Sequence, residues 1–183
     1  MTVYIALLRG INVGGNRKVP MPALKSMFES LGFQGVLTYI NSGNVIFESD
    51  SDDGGEALEE RIEREIEKVF GFPVDVMIRT AAELRGAIDA NPFAAEGSPE
   101  ELHLHVGFMK KAGLAADKLA KLDARVNENE GYRLSNREVF AAFRAGLRDS
   151  KLAEQLGKLG VPLTLRNWNT TTKLAELAEA KLP

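Results

Sequence analysis

Cysteine is missing from this chain, and its absence removes several classes of protein at once. With no thiol among 183 residues, the chain cannot form a disulfide scaffold, a cysteine-ligated zinc ribbon or a thiol nucleophile. It also lacks any apolar run near the roughly 20 residues of a membrane-spanning helix. The first residues lack the basic start and the length of a signal peptide. We therefore expect a cytoplasmic protein with no membrane contact.

The chain also has fewer basic residues than acidic ones. The net charge is −3, which argues against nucleic acid as a partner. The charge is unevenly spread: residues 1–25 carry basic side chains and no acid, whereas residues 48–67 carry ten acids. We interpret the acidic stretch as the solvated face of a helix.

The first half of the chain shows the periodicity of a βαββαβ unit. A tight turn between two β-rich runs predicts a hairpin, and Ser51–Gly55 is predicted as a loop. The predicted strands are Val3–Arg9, Val36–Ile40, Val45–Phe47 and Val74–Arg79, and the predicted helices cover Leu24–Leu31 and Leu58–Phe70.

The second half repeats this order. A capping box at Thr80–Glu83 starts a linker helix that ends before Asn91-Pro92, because the residue preceding a proline avoids helical angles. Alternation over Leu102–Phe108 predicts the next strand. The elements after it are a helix at Leu114–Val126, strands at Tyr132–Leu134 and Val139–Phe143, a helix at Ser150–Leu159, a strand at Leu163–Arg166 and a helix at Asn169–Leu182. These patterns predict an α+β protein with tandem duplicated ferredoxin-like halves and antiparallel sheets. The predicted divisions are 1–79, a linker helix and loop at 80–100, and 101–183 with the C-terminal helix.

The loop Arg9–Lys18 is the first candidate for a binding site. Glycines let backbone N–H groups turn toward an anion, and the loop leads into a helix N-terminus. The predicted ligand residues here are Arg9, Asn12, Gly14, Gly15 and Lys18. The loop matches neither phosphate-binding nor dinucleotide-binding fingerprints, and a wide turn with exposed basic residues is the alternative interpretation.

The start of the last helix, Arg166–Thr171, is the second candidate. Its N–H donors, its arginine and the only tryptophan of the chain suit an anionic, ring-bearing ligand such as a nucleotide. Helix capping and a tryptophan anchored in the core form the alternative. The predicted ligand residues are Arg166, Asn167, Trp168, Asn169 and Thr170.

Three further sets carry weaker signals. The turn Asn41, Ser42, Gly43 and Asn44 has good hairpin chemistry, and it contributes to a ligand site only if it meets the first loop in space. His103 and His105, on one face of the predicted strand, could chelate a metal but lack a third ligand, so no metal is predicted. The basic residues Arg144, Arg148 and Lys151 are a phosphate contact or, as we favour, a solvated helix start.

Several motifs together resemble the bacterial family catalogued as domain of unknown function 1697. They are Leu8–Gly15, Val19–Met21, Tyr39–Val45, Asn91–Phe93 and Arg166–Thr170. Asn41 departs from the glutamine that the family would have there. The resemblance implies a duplicated ferredoxin-like fold and no assigned reaction, and it supplies no catalytic residues.

Our function hypothesis is the binding of a phosphorylated or otherwise anionic small molecule. The cleft would be formed by the Arg9–Lys18 loop, the Asn41–Asn44 turn and the Arg166–Thr171 helix start. One alternative is nucleic-acid binding on a ferredoxin-like sheet, although the central strand has aliphatic residues where such sheets carry aromatic ones. The other is a non-catalytic homodimer. Catalytic residues and cofactors are left open.

Overall fold

Two four-stranded antiparallel sheets and six helices make up the computed structural model, which describes residues 1–51 and 54–183. The predicted α+β class and antiparallel sheets are therefore confirmed. Residues 52 and 53 of the predicted loop Ser51–Gly55 lie outside the described residues. Among the helices described, none has the length and the apolar character needed to cross a bilayer.

The chain divides into two units, and the first comprises Met1–Arg85 and Lys173–Pro183. Its strand order is β2-β3-β1-β4, with β1 antiparallel to both neighbours. Its elements are β1 (Thr2–Leu8), α1 (Met21–Ser30), β2 (Gln34–Tyr39), β3 (Asn44–Ser49), α2 (Gly54–Phe70) and β4 (Val76–Thr80).

One face of this sheet packs against α1 and α2. Alternate residues of β1, namely Tyr4, Ala6 and Leu8, join the apolar residues of both helices in one core cluster. The other side of the strand is buried as well: Ile5 and Leu7 have no exposed surface. Because β1 is closed on both faces, it offers no open platform on which bases could stack.

The second unit comprises Gly86–Thr172. Its strand order is β6-β7-β5-β8, again with the central strands antiparallel to their neighbours. The remaining elements of the chain are α3 (Ala81–Asp89), β5 (His105–Met109), α4 (Ala116–Asp123), β6 (Glu130–Ser135), β7 (Glu138–Phe143), α5 (Lys151–Gly157), β8 (Leu163–Asn167) and α6 (Trp168–Glu179). The order β-α-β-β-α-β thus occurs in both units, and a duplicated ferredoxin-like origin stays a prediction.

The C-terminal segment differs from the predicted division, which assigns all of residues 101–183 to the second half. Residues from Lys173 onward belong to the first unit. Two ion pairs within that unit hold the segment. Arg85 donates to both carboxylate oxygens of Glu179 at 2.6 and 2.9 Å, and Lys181 lies 3.7 Å from Glu48. A bidentate pair of this kind fixes geometry as well as charge.

The predicted strand Leu102–Phe108 begins three residues later than expected, at His105. A second capping box is the reason. Ser98 Oγ accepts from the Glu101 N–H, and the Glu101 carboxylate accepts from the Ser98 N–H. The helical turn that this box starts carries Leu102 and Leu104 into the interior, and it ends at His103 with a positive φ of 42°. The apolar alternation therefore reflects one buried turn followed by a strand.

The edge strand β4 is protected by carboxylates from α2. Glu63 Oε1 accepts the Val76 N–H at 2.8 Å, and Glu59 Oε1 accepts the Ile78 N–H at 2.9 Å. Residues four apart on a helix lie one above the other, so they match N–H groups two residues apart on a strand. An edge whose donors are occupied cannot recruit another strand.

We predict that Glu59→Ala lowers the free energy of unfolding by about 2 kcal/mol, because Glu59 is buried and the Ile78 N–H loses its acceptor. Urea unfolding followed by circular dichroism measures the change. The exposed Glu60 is the matched control, and Glu60→Ala should change stability by less than about 0.5 kcal/mol. Equal losses in both variants would contradict the edge-protection role.

Candidate functional site

The Arg9–Lys18 loop is a small hairpin closed by its own backbone hydrogen bonds. Its backbone has positive φ at five of its positions, which are Gly10, Asn12, Gly14, Gly15 and Arg17. The Asn12 N–H donates to Arg17 O, and the Asn16 N–H donates to Val13 O. Gly14 and Gly15 form the exposed tip of this hairpin. The glycines thus serve the geometry of a wide turn, which is the alternative interpretation of this loop.

Most polar groups of this loop have partners inside the chain. Asn12 pairs with both backbone groups of Val19 and donates to Asn41 O at 2.9 Å. Arg17 donates to Gly10 O and Pro73 O. Arg9 lies 3.3 Å from the Asp75 carboxylate, whereas Lys18 is exposed. An incoming anion would therefore compete with Asp75 for the charge of Arg9.

The Asn41–Asn44 turn is in direct contact with this loop. The Leu8 N–H donates to Gly43 O at 2.8 Å, and Asn44 Nδ2 donates to Tyr39 O and Ser42 Oγ. Gly43 has a φ of 89°, and a Cβ added there would lie 2.7 Å from Ile11 Cδ1 and 2.8 Å from Leu8 Cβ. Glycine is required because the two segments approach so closely.

The Arg166–Thr170 segment belongs to the second unit, and much of its polarity is used in capping. Asn167 Oδ1 accepts the Thr170 N–H at 2.8 Å, and the Thr171 hydroxyl donates to Asn167 O. Arg166 is buried and donates to Thr164 Oγ1 and Leu165 O. Burial lowers the pKa of Arg166 to about 10, so the guanidinium is still charged at neutral pH.

A cavity of about 380 Å³ in the second unit brings this helix start together with the two histidines. We call it the Trp168 pocket. It is lined by Pro99, Glu100, His103, Leu104, His105, Asn167, Trp168 and Asn169. The backbone N–H of Trp168 donates to Leu104 O at 3.0 Å. This bond joins the start of α6 to the residue that follows the 98–103 turn. In the sequence these two sets of residues lie more than 60 positions apart and form two separate candidates.

His105 is held in one tautomer. Its Nδ1 lies 2.7 Å from His103 O, and because a carbonyl only accepts, Nδ1 carries the proton and Nε2 has the lone pair. Desolvation by burial lowers the pKa of His105; the His103 charge lowers it further, while the hydrogen bond to His103 O opposes the shift. The ring packs edge-on to Phe143, with centroids 5.5 Å apart. A neutral imidazole with an acceptor at Nε2 follows.

The histidines do not form the predicted strand-face pair, because His103 lies in the turn and only His105 lies in β5. In the described part of the chain, no three His, Cys, Asp or Glu side chains come together as metal donors. The pocket offers rings, an imidazole acceptor, two asparagine amides and the carboxylate of Glu100. The sequence signal for this pocket is the Ser98–Glu101 capping box. It delays the start of the strand, and His103 then lines the same pocket as Trp168.

Comparisons with known proteins agree with the motifs and the fold. The model of the family described as "Protein of unknown function (DUF1697)" matches residues 1–140. The solved structure of conserved bacterial protein SP0830 from Streptococcus pneumoniae is similar, with 26% identity and a TM-score of 0.77 over 97% of this chain and 98% of that chain. No match was found among curated proteins.

We predict that Gly43→Ala destabilises the protein by about 3 kcal/mol, through a positive φ and overlap with Ile11 and Leu8. Gly14→Ala is the matched control because Gly14 also has a positive φ but open space around it. It should cost only about 1 kcal/mol. Thermal and urea unfolding measure both, and equal costs would mean that the close approach contributes nothing.

We predict that His105 makes stability depend on pH below its ordinary pKa of 6.5. The folded chain has the lower pKa, so in this window the unfolded chain binds the proton first and the free energy of unfolding falls as pH decreases. In His105→Asn this contribution disappears, and the curve should be flatter between about pH 7 and 5.5. Urea unfolding at each pH measures the slope, and identical slopes in both proteins would contradict the burial of a neutral ring.

Proposed function

The chain belongs to the DUF1697 family, and we propose that its second unit binds an anionic, ring-bearing small molecule such as a nucleotide in the Trp168 pocket. The observation that carries the proposal is the convergence of Trp168, His103, His105 and Pro99 on one cavity. Its volume of about 380 Å³ falls in the range of small-molecule sites. Aromatic faces accept any base by stacking.

Polar groups around the rings support a ligand with both a base and an anion. His105 Nε2 is an acceptor for a base N–H, because Nδ1 donates to His103 O. Asn169 is exposed at the first turn of α6, a helix of 12 residues. The N-terminal end of such a helix carries a partial positive charge, and the buried Arg166 guanidinium precedes it in the chain. The anionic group would face this end.

The predicted ligand residues of the first unit, from the Arg9–Lys18 loop and the Asn41–Asn44 turn, stay predictions. Their geometry supports them less. Asn12 joins the two loops through Asn41 O, Arg17 and Asn44 donate to other backbone carbonyls of the unit, and Arg9 faces Asp75. We therefore place the proposed ligand in the second unit.

No specific observation supports either alternative function, which are nucleic-acid binding on a sheet and a non-catalytic homodimer. Base stacking on a sheet needs an exposed face, and the central strands β1 and β7 are buried along their length after Thr2. A dimer through β4 would need the N–H groups that Glu59 and Glu63 already bind.

We further propose that the two units are duplicated ferredoxin-like halves of a cytoplasmic protein. Their shared element order and strand order support the duplication.

We predict that AMP quenches the fluorescence of Trp168, the only tryptophan of the chain, in a saturable way. Titration with AMP, adenosine and ribose 5-phosphate separates the two parts of the ligand. Adenosine should quench with weaker affinity, and ribose 5-phosphate should not quench because it has no ring to stack.

Asn169→Asp provides the sharpest variant. A carboxylate at the first turn of a helix is compatible with the helix dipole, yet it should weaken AMP binding about tenfold through repulsion and leave adenosine unchanged. Asn136→Asp, exposed in the β6–β7 hairpin at the other end of the β5–β7 pair, is the matched charge control. Absence of saturable quenching by every nucleotide tested, or equal weakening in both variants, would refute the proposed site.

A further inference from the structure

Two arginines of the second unit share one carboxylate. Arg133, on β6, places Nη1 2.7 Å from Glu96 Oε2. Arg144, just after β7, places Nη2 3.8 Å from Glu96 Oε1. Each oxygen of the carboxylate thus faces a different guanidinium, so the two cations converge on one point from two segments of the sheet.

Phe93 fixes the orientation of one guanidinium. Arg133 Cζ lies 4.2 Å from the centroid of the Phe93 ring, a contact that holds the planar group by cation–π attraction. The ring is buried, and a short turn links it to the carboxylate: the Phe93 N–H donates to Asn91 Oδ1, and the Glu96 N–H donates to Phe93 O. One turn therefore supplies both the Phe93 ring on which Arg133 packs and the Glu96 carboxylate with which it pairs.

We propose that Arg133 and Arg144 form a binding site for a phosphate monoester, and that the Glu96 carboxylate occupies this site in the unliganded chain. The site is separate from the Trp168 pocket and does not depend on the function proposed for it. It also gives a role to Arg144, for which a phosphate contact is one of the two interpretations of the sequence.

Exposure makes exchange of the two anions feasible. The side chains of Arg133, Arg144 and Glu96 are 45%, 36% and 37% exposed, and exposed ion pairs contribute little to stability. Releasing Glu96 therefore costs little. A phosphate monoester brings close to two negative charges and three acceptor oxygens, against one charge and two oxygens for a carboxylate. Guanidinium groups bind such oxygens through paired N–H donors, so the dianion satisfies more donors than Glu96 does.

Titration of the protein with inorganic phosphate at low ionic strength tests the site, with the arginine Nε–Hε signals in ¹H–¹⁵N NMR spectra as the readout. In Glu96→Gln the internal competitor is gone, and phosphate should bind about three- to tenfold more tightly than in the wild type. Arg144→Ala should weaken binding at least about threefold. Arg133→Lys keeps the charge but loses the planar fork, and it should weaken binding similarly.

Glu128→Gln is the matched control, because it removes an exposed acid from the same unit and changes the net charge equally. It should leave phosphate affinity unchanged. Glucose 6-phosphate should shift the Arg133 signal as phosphate does, whereas glucose and acetate should not. The proposal is overturned if Glu96→Gln binds phosphate no more tightly than Glu128→Gln, or if acetate binds as well as phosphate. Thermal unfolding of each variant verifies folding, and Arg144→Ala decides the question should Glu96→Gln lose its fold.

Discussion

Two adjacent backbone carbonyls hold the candidate site together. His103 O accepts the Nδ1 proton of His105, and Leu104 O accepts the N–H of Trp168. The first bond fixes the tautomer that leaves Nε2 as an acceptor, and the second joins the start of α6 to the turn. The Ser98–Glu101 capping box starts the helical turn that ends at His103, a residue with positive φ. The bond between Leu104 and Trp168 continues the β5–β8 register beyond the His105–Asn167 pair. The pocket therefore depends on local backbone geometry more than on any one lining side chain.

This dependence explains what the sequence could and could not predict. Periodicity identifies the strands and helices of both units because burial of one face imposes it, as Tyr4, Ala6 and Leu8 illustrate in β1. It fails at Leu102 and Leu104, because a buried helical turn and a strand both place apolar residues two apart. The strand predicted from Leu102 therefore places His103 on a strand face, whereas His103 lies in the turn and lines one pocket with Trp168. No local pattern predicts a contact between residues some 65 positions apart.

In the first-unit loops, several residues predicted to bind a ligand have partners or close neighbours within the chain. Gly43 is required by the approach of Ile11 and Leu8, and Asn12 satisfies the backbone of Val19 and Asn41. A glycine- and asparagine-rich loop beside an arginine suggested anion binding, but residues suited to left-handed turns are the same types. Only the partners of the side chains distinguish these uses. In the second unit Arg166 and Asn167 also bond within the chain, so the proposal there rests on the cavity that rings of separate segments share.

Crystals of the protein grown with AMP would show whether the Trp168 pocket binds a nucleotide. We expect density for the purine in this pocket, against the indole ring and within hydrogen-bonding distance of His105 Nε2, with the phosphate at the first turn of α6. Density for AMP on any other surface, with the Trp168 pocket empty of nucleotide, would refute the proposed site.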